Sequence, residues 1–174
     1  MENKMKRTLI ICCLLTVSFI HNINCQTLGN LYTESNADFT MSMPAGWQTM
    51  DINQKYSVIM GQTENGFTPN ITFADDVFLG SYSEYIDAVL LVLEQIYSDL
   101  IIINRGNFST SSGLYGEYVT LSGRMNEIRV RQKLFVFPGT RANRIILITG
   151  SAPLNGERFD AIFDECVKTF RWTR

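Results

Sequence analysis

Between Tyr82 and Leu100 the apolar residues Tyr82, Tyr85, Ile86, Val89, Leu90, Leu93, Ile96, Tyr97 and Leu100 recur at the spacing of one helical face. Ser81 and Glu84 stand where a capping box would start that helix. Leu91 and Val92 lie off the face, so the helix is apolar over more of its circumference than one sheet contact needs. A second helix is patterned by Phe159, Ile162, Phe163, Cys166, Val167 and Phe170, with Asn155 as its expected N-cap and an Asp164–Lys168 pair on its solvated side.

The remaining apolar stretches are too short for helices and read as strands. Phe39 to Met43 precedes the turn residues Pro44, Ala45 and Gly46, and Lys55 to Gly61 and Asn70 to Ala74 flank a Glu64-Asn65-Gly66 turn and Pro69. After the long helix come Ile101 to Ser109, Leu114 to Ser122 and Glu127 to Phe137, broken by Ser/Gly-rich and Gly123-Arg124-Met125-Asn126 turns. In Glu127 to Phe137, Ile128, Val130, Leu134 and Val136 share one face with Gln132 as the exception, and Arg129, Arg131 and Lys133 share the other. Ile145 to Ile148 is apolar without alternation, as suits a central strand covered on both faces. The order is three strands, a long middle helix, four strands and a C-terminal helix. It predicts a single α+β domain layered α/β/α, with a sheet of about seven strands.

Ahead of this domain, Lys4, Lys6 and Arg7 lead into the apolar run Leu9 to Ile20, the layout of a secretory signal. At helical rise that run covers only about 18 Å, short of a membrane span. The expected division is a signal peptide over residues 1–25, a linker over 26–38 and the folded domain over 39–174. Cleavage after Cys25 would start the mature chain at Gln26. A competing reading makes Cys25 the acylated first residue of a lipoprotein, which would be the chain's one attachment to a membrane. The expected location is the periplasm, the medium or, if acylated, the envelope surface.

Beyond Gln26 there is no histidine and a single cysteine, Cys166. Most hydrolytic triads, zinc sites and thiol–imidazole pairs therefore lack a member, and the helical spacing turns Cys166 inward as an inert thiol. Asp75-Asp76 lacks the loop spacing of a calcium site, and Glu157, Asp160, Asp164 and Glu165 read as the outer face of the last helix rather than as acid–base pairs. No glycine-rich phosphate loop is present. Neither enzyme activity nor a cofactor or metal is expected. The Asn70-Ile71-Thr72 and Asn107-Phe108-Ser109 sequons carry meaning only in a glycosylating host.

Without the basic Lys4, Lys6 and Arg7 and the acidic Glu2, 12 basic and 16 acidic residues remain, a net charge of −4 that disfavours nucleic acid. Residues 26–104 hold one basic residue against ten acids, whereas residues 105–144 hold seven against two. Arg129, Arg131 and Lys133, joined by Arg124 or Arg144, are the candidate surface for docking a protein partner. A structural alternative puts that row under a helix, matched by carboxylates.

Phe39 to Trp47 (FTMSMPAGW) and Ile146 to Trp172 (ILITGSAPLNGERFDAIFDECVKTFRW) resemble the PsbP-like superfamily, which includes the extrinsic photosystem II protein, a nuclear-transport factor of the same fold and bacterial DcrB-like envelope proteins. The resemblance implies a predominantly antiparallel sheet between helices and a non-catalytic accessory or binding role. It transfers no binding site. Two functions follow: an exported protein that docks a protein partner through its sheet edge or basic strand face, or a binder of a small ligand in a cleft between the sheet and the middle helix, lined by Tyr85, Tyr97, Tyr115 and Tyr118. Neither the partner nor an oligomeric state is readable from the sequence.

Overall fold

The computed structural model describes residues 28–34, 38–51, 55–64 and 66–173. The signal, the Cys25 site and the Gln26 start lie outside them. Among the described residues, ten strands and two helices run in the order β1 (Leu28–Glu34), β2 (Phe39–Pro44), β3 (Gln48–Met50), β4 (Val58–Met60), β5 (Asn70–Val77), α1 (Tyr82–Leu93), β6 (Ser98–Ser109), β7 (Tyr115–Met125), β8 (Ile128–Pro138), β9 (Arg144–Pro153), α2 (Glu157–Lys168) and β10 (Arg171–Trp172). Seven strands form one antiparallel sheet ordered β3-β4-β5-β9-β8-β7-β6, and β1, β2 and β10 form a second, smaller one.

Strand alternation divides the interior into two cores. On one face Ile59, Ile71, Phe73, Phe135, Phe137, Ile146 and Ile148 meet the small sheet and the Phe159, Phe163, Cys166 and Val167 stripe of α2. On the other, Val119, Leu121, Val130, Leu134, Val136 and Leu147 meet Tyr85, Ile86, Val89, Leu90 and Leu93 of α1. The α/β/α layering and the central place of the Ile145 to Ile148 run, in β9 between β5 and β8, both hold. Closeness matters at β9, where a Cβ on Gly150 would stand 2.5 Å from the Phe163 ring.

Several boundaries differ from those the pattern predicts. The middle helix ends at Leu93, not Leu100: the Ile96 and Tyr97 amides both bond the Leu93 carbonyl, and the chain turns into β6. Tyr97 and Leu100 still pack into the α1 core, so the helical spacing runs on after the helix has stopped. The β-branched Ile101, Ile102 and Ile103 favour the strand. Residues 28–34, expected within a linker, pair with β2 and bury Tyr32 against Phe39 and Phe73. The capping box is present, with the Glu84 amide donating to Ser81 Oγ at 3.2 Å and the Ser81 amide to Glu84 Oε2 at 2.7 Å. On α2, by contrast, Gly156 rather than Asn155 is the N-cap, and no side chain caps it.

Candidate functional site

The structure pairs Arg131 and Lys133 of the basic row with α2, contrary to the expected outward docking surface. Arg131 and Lys133 project onto the face of β8 that α2 covers, and both are spent there. Arg131 Nε and Nη2 donate to Asp160 at 2.9 and 2.6 Å, and Lys133 Nζ stands 2.6 and 2.8 Å from the two Asp164 oxygens. The spacing explains the fit: two residues along a strand advance about 6.6 Å and four along a helix about 6 Å, so Arg131 and Lys133 meet Asp160 and Asp164 rung for rung. The Asp160 hydrogen bond holds the Arg131 guanidinium above its ordinary range. Burial pushes the Asp164 carboxyl up despite Lys133 beside it. Lys133 also lies 4.6 Å from the centre of the Tyr118 ring.

Asp160 and Asp164 thus face inward, not to solvent as expected, and Lys168 meets Glu165 at 3.8 Å instead of Asp164. Arg144 pairs with Asp75, which also takes Lys55 Nζ at 2.5 Å. Burial raises the Asp75 carboxyl, but the Lys55 and Tyr56 hydrogen bonds and the charges of Lys55 and Arg144 outweigh it and hold the group below the usual range. Asp75 is committed to a structural pair on β5, and Asp76 accepts from the Val77 amide at 2.8 Å. Of the row, Arg129 remains exposed, opposite Arg124 across β7 and β8.

The ligand cleft is also corrected. A cavity does lie between the sheet and the end of α1, floored by Thr72, Gln132 and Thr149 and walled by Leu93, Ile96 and Tyr97. Its volume is about 20 Å³, room for a single water rather than a metabolite. Among the four tyrosines named for it, Tyr97 alone lines it. Tyr85 is packed in the α1 core, Tyr118 on the opposite face of the sheet, and Tyr115 is exposed. Gln132, the exception in the β8 alternation, donates to Ser151 Oγ at 3.0 Å, which makes a polar residue tolerable at an interior position.

Cys166 is fully buried, and burial with the charge of Glu165 pushes its thiol up to about 12. A thiol so placed is not a nucleophile at neutral pH. Among the described residues no group of three or more His, Cys, Asp or Glu side chains is arranged to hold a metal. The Asn70 sequon is buried, whereas Asn107 is exposed on β6.

A surface the basic row had obscured lies at the other end of the sheet. β6 is the outer strand beyond β7, and it exposes three consecutive isoleucines, Ile101 at 59%, Ile102 at 52% and Ile103 at 43%. Register breaks between Ser98 and Ile101 and between Ile102 and Asn104 bulge the strand, and Asp99 has a left-handed φ of 56°. Bulges deter simple ladder extension along an edge, so this one offers side chains more than backbone. Beside it, Leu91 of α1 is 63% exposed. Arg105 fixes how helix and strand lie together: its guanidinium donates to Asp87 Oδ1 at 2.6 Å, Ser83 Oγ at 2.6 Å and the Ser83 carbonyl at 2.8 Å. Leu91 follows Asp87 by one helical turn, while Ile103 and Ile102 precede Arg105 by a similar length of strand, which places Ile102 and the bulged Ile103 on the Leu91 side; Ile101, opposite Ser122, points to the face that carries Arg131. The signal was present as Leu91 off the helical face and as the unbroken run Ile101 to Ile103.

No protein-family model and no curated protein matches the sequence. Solved structures do. The solution structure of cyanobacterial PsbP from Synechocystis is 12% identical with a TM-score of 0.57, covering 90% of this chain and 98% of that one. The Saccharomyces cerevisiae Ran-binding protein Mog1p is 9% identical with a TM-score of 0.59, over 84% of this chain and 97% of its own. LpqN of Mycobacterium tuberculosis, involved in cell envelope biogenesis, is 12% identical with a TM-score of 0.59, over 83% and 90%. Identities this low speak for architecture alone, and the architecture agrees along nearly the whole length of each: the chain has the PsbP-like fold.

Proposed function

We propose that this chain is an exported, non-enzymatic module that docks a protein partner through the junction of α1 and β6. The observation that carries the reading is the group of exposed apolar side chains Leu91, Ile102 and Ile103, all more than two-fifths exposed, on the α1 side of an outer strand. Scattered exposed apolar residues are ordinary, but a contiguous group is characteristic of interaction sites. The basic strand face, once α2 covers it, no longer competes. The reading agrees with neighbours of the same fold that bind Ran or take part in envelope biogenesis. Export rests on the charged and apolar layout of Lys4 to Ile20.

Affinity capture with the tagged chain tests the docking surface. The double substitution Leu91→Lys and Ile102→Lys should reduce recovery of the captured partner at least about tenfold while shifting stability by no more than about 1 kcal/mol, since both side chains are largely in water. Recovery at the unsubstituted level would refute the site. Mass spectrometry of the native protein tests export: the first residue should be Gln26 or an acylated Cys25, and an intact Met1 would refute it.

A further inference from the structure

We infer that the partner engages this surface with a basic, apolar segment, a stretch of protein whose aliphatic side chains are bracketed by Lys or Arg. The inference rests on the docking reading above and adds the chemistry of the occupant. The apolar centre is Leu91 with Ile102 and the bulged Ile103; Ile101, opposite Ser122, lies on the other face of the sheet. Around it the charge is acidic: Glu94 caps α1 and is exposed, Asp99 is exposed on the first bulge of β6, and Asp87 is 60% exposed on the turn before Leu91. Arg105 beside them is matched by Asp87 and approached by Glu117 at 3.7 Å, so among the described residues Glu94 and Asp99 are the acids that set the sign of the rim. Arg124 and Arg129 project from the opposite face of the sheet, the face that carries Arg131.

Acidic charge bordering an apolar patch selects against acidic partners and against an anionic lipid surface, because like charges at a rim repel and slow the encounter. A second copy fits poorly for the same reason. It would bring further acids to the rim, and its own Arg105 is already held by Asp87, Ser83 and Glu117. The bulges direct the partner to side chains, so its affinity comes from aliphatic burial, and its basic residues set on-rate and salt dependence.

The test uses the full chain lacking the signal and two synthetic peptides of alternating residues, one Lys/Ile and one Glu/Ile, read by fluorescence anisotropy and by backbone chemical-shift mapping. The Lys/Ile peptide should bind at least about tenfold more tightly than the Glu/Ile peptide at low salt, with shifts centred on residues 87–105. Leu91→Lys with Ile102→Lys should abolish that binding. Glu94→Lys with Asp99→Lys should weaken it and flatten its salt dependence. Equal binding of both peptides, shifts centred elsewhere, preferential binding to anionic vesicles, or a dimer that the Leu91/Ile102 substitution dissolves would each overturn the inference. Failure here alongside loss of captured partner in the same double variant would leave docking standing and remove only the basic occupant; unchanged capture would remove docking itself.

Discussion

Replacing Asp164 with Ala is expected to destabilise the domain by about 3 kcal/mol, the lower end of the range for stranding a buried charge. The side chain of Lys133 is 8% exposed and sits under α2, so without Asp164 its ammonium keeps the Tyr118 ring but loses its counter-ion. The lower end applies because Asp164 is itself about a third exposed, which leaves water a route to the orphaned cation. Lys133→Met removes charge and hydrogen-bond donor together, and in the Asp164→Ala background it should recover most of the loss, because an apolar side chain of similar volume suits a site walled by Tyr118 and Phe135. Urea denaturation of the two single variants and the double measures the coupling. If Asp164→Ala cost less than about 1 kcal/mol, the pair would be a surface ion pair in energetic terms, and the case against an outward basic row would weaken with it.

The same pair shows where sequence pattern stops informing. Alternation separates Arg129, Arg131 and Lys133 from Ile128, Val130 and Leu134 correctly, as the register confirms. It does not say what lies over either face. Cations on a strand suggest solvent, and acids on the polar side of a helix suggest solvent; the two suggestions cancel when helix and strand supply each other's partners. The matching intervals, two residues against four, were legible in principle in Arg131/Lys133 and Asp160/Asp164. Only the packing of α2 across β8 and β9, close enough for Phe163 to lie on Gly150, makes the match real.

Layering and strand order were more accessible because they depend on local periodicity. The elements outside the predicted set are β1, β3 and β10: β3 and β10, of three and two residues, are too short to show a period, and the seven residues of β1, LGNLYTE, carry no apolar alternation. The overlong helix has a different cause. Ile96, Tyr97 and Leu100 serve the same core as α1, so burial kept the helical spacing after the backbone had left the helix. The sequence puts Leu91 on the helix and Ile102 and Ile103 on the next strand, as the structure does, but periodicity does not say that the turn after Leu93 brings helix and strand together on one side.

Phe39→Ala should be the most damaging single apolar substitution in the small sheet, at about 3–5 kcal/mol, which for a domain of this size lowers Tm by roughly 10 °C or more. Phe39 is fully buried on β2, with ring centres 4.9 Å from Phe73, 5.2 Å from Phe170, 6.0 Å from Tyr32, 6.0 Å from Trp172 and 6.2 Å from Tyr56. Those partners come from β1, from β5 in the large sheet, from the segment before β4 and from the end of the chain around β10. Truncation therefore opens a void where four parts of the chain converge, and rings held by several neighbours cannot collapse into it. Trp172→Ala, at a half-buried edge of the same cluster, should cost less. Thermal unfolding of both variants decides the matter. A Phe39→Ala loss no greater than that of Trp172→Ala would mean that the small sheet, with the β1 strand it contains, is fastened to the domain by its hydrogen bonds to β2 and not by this aromatic core.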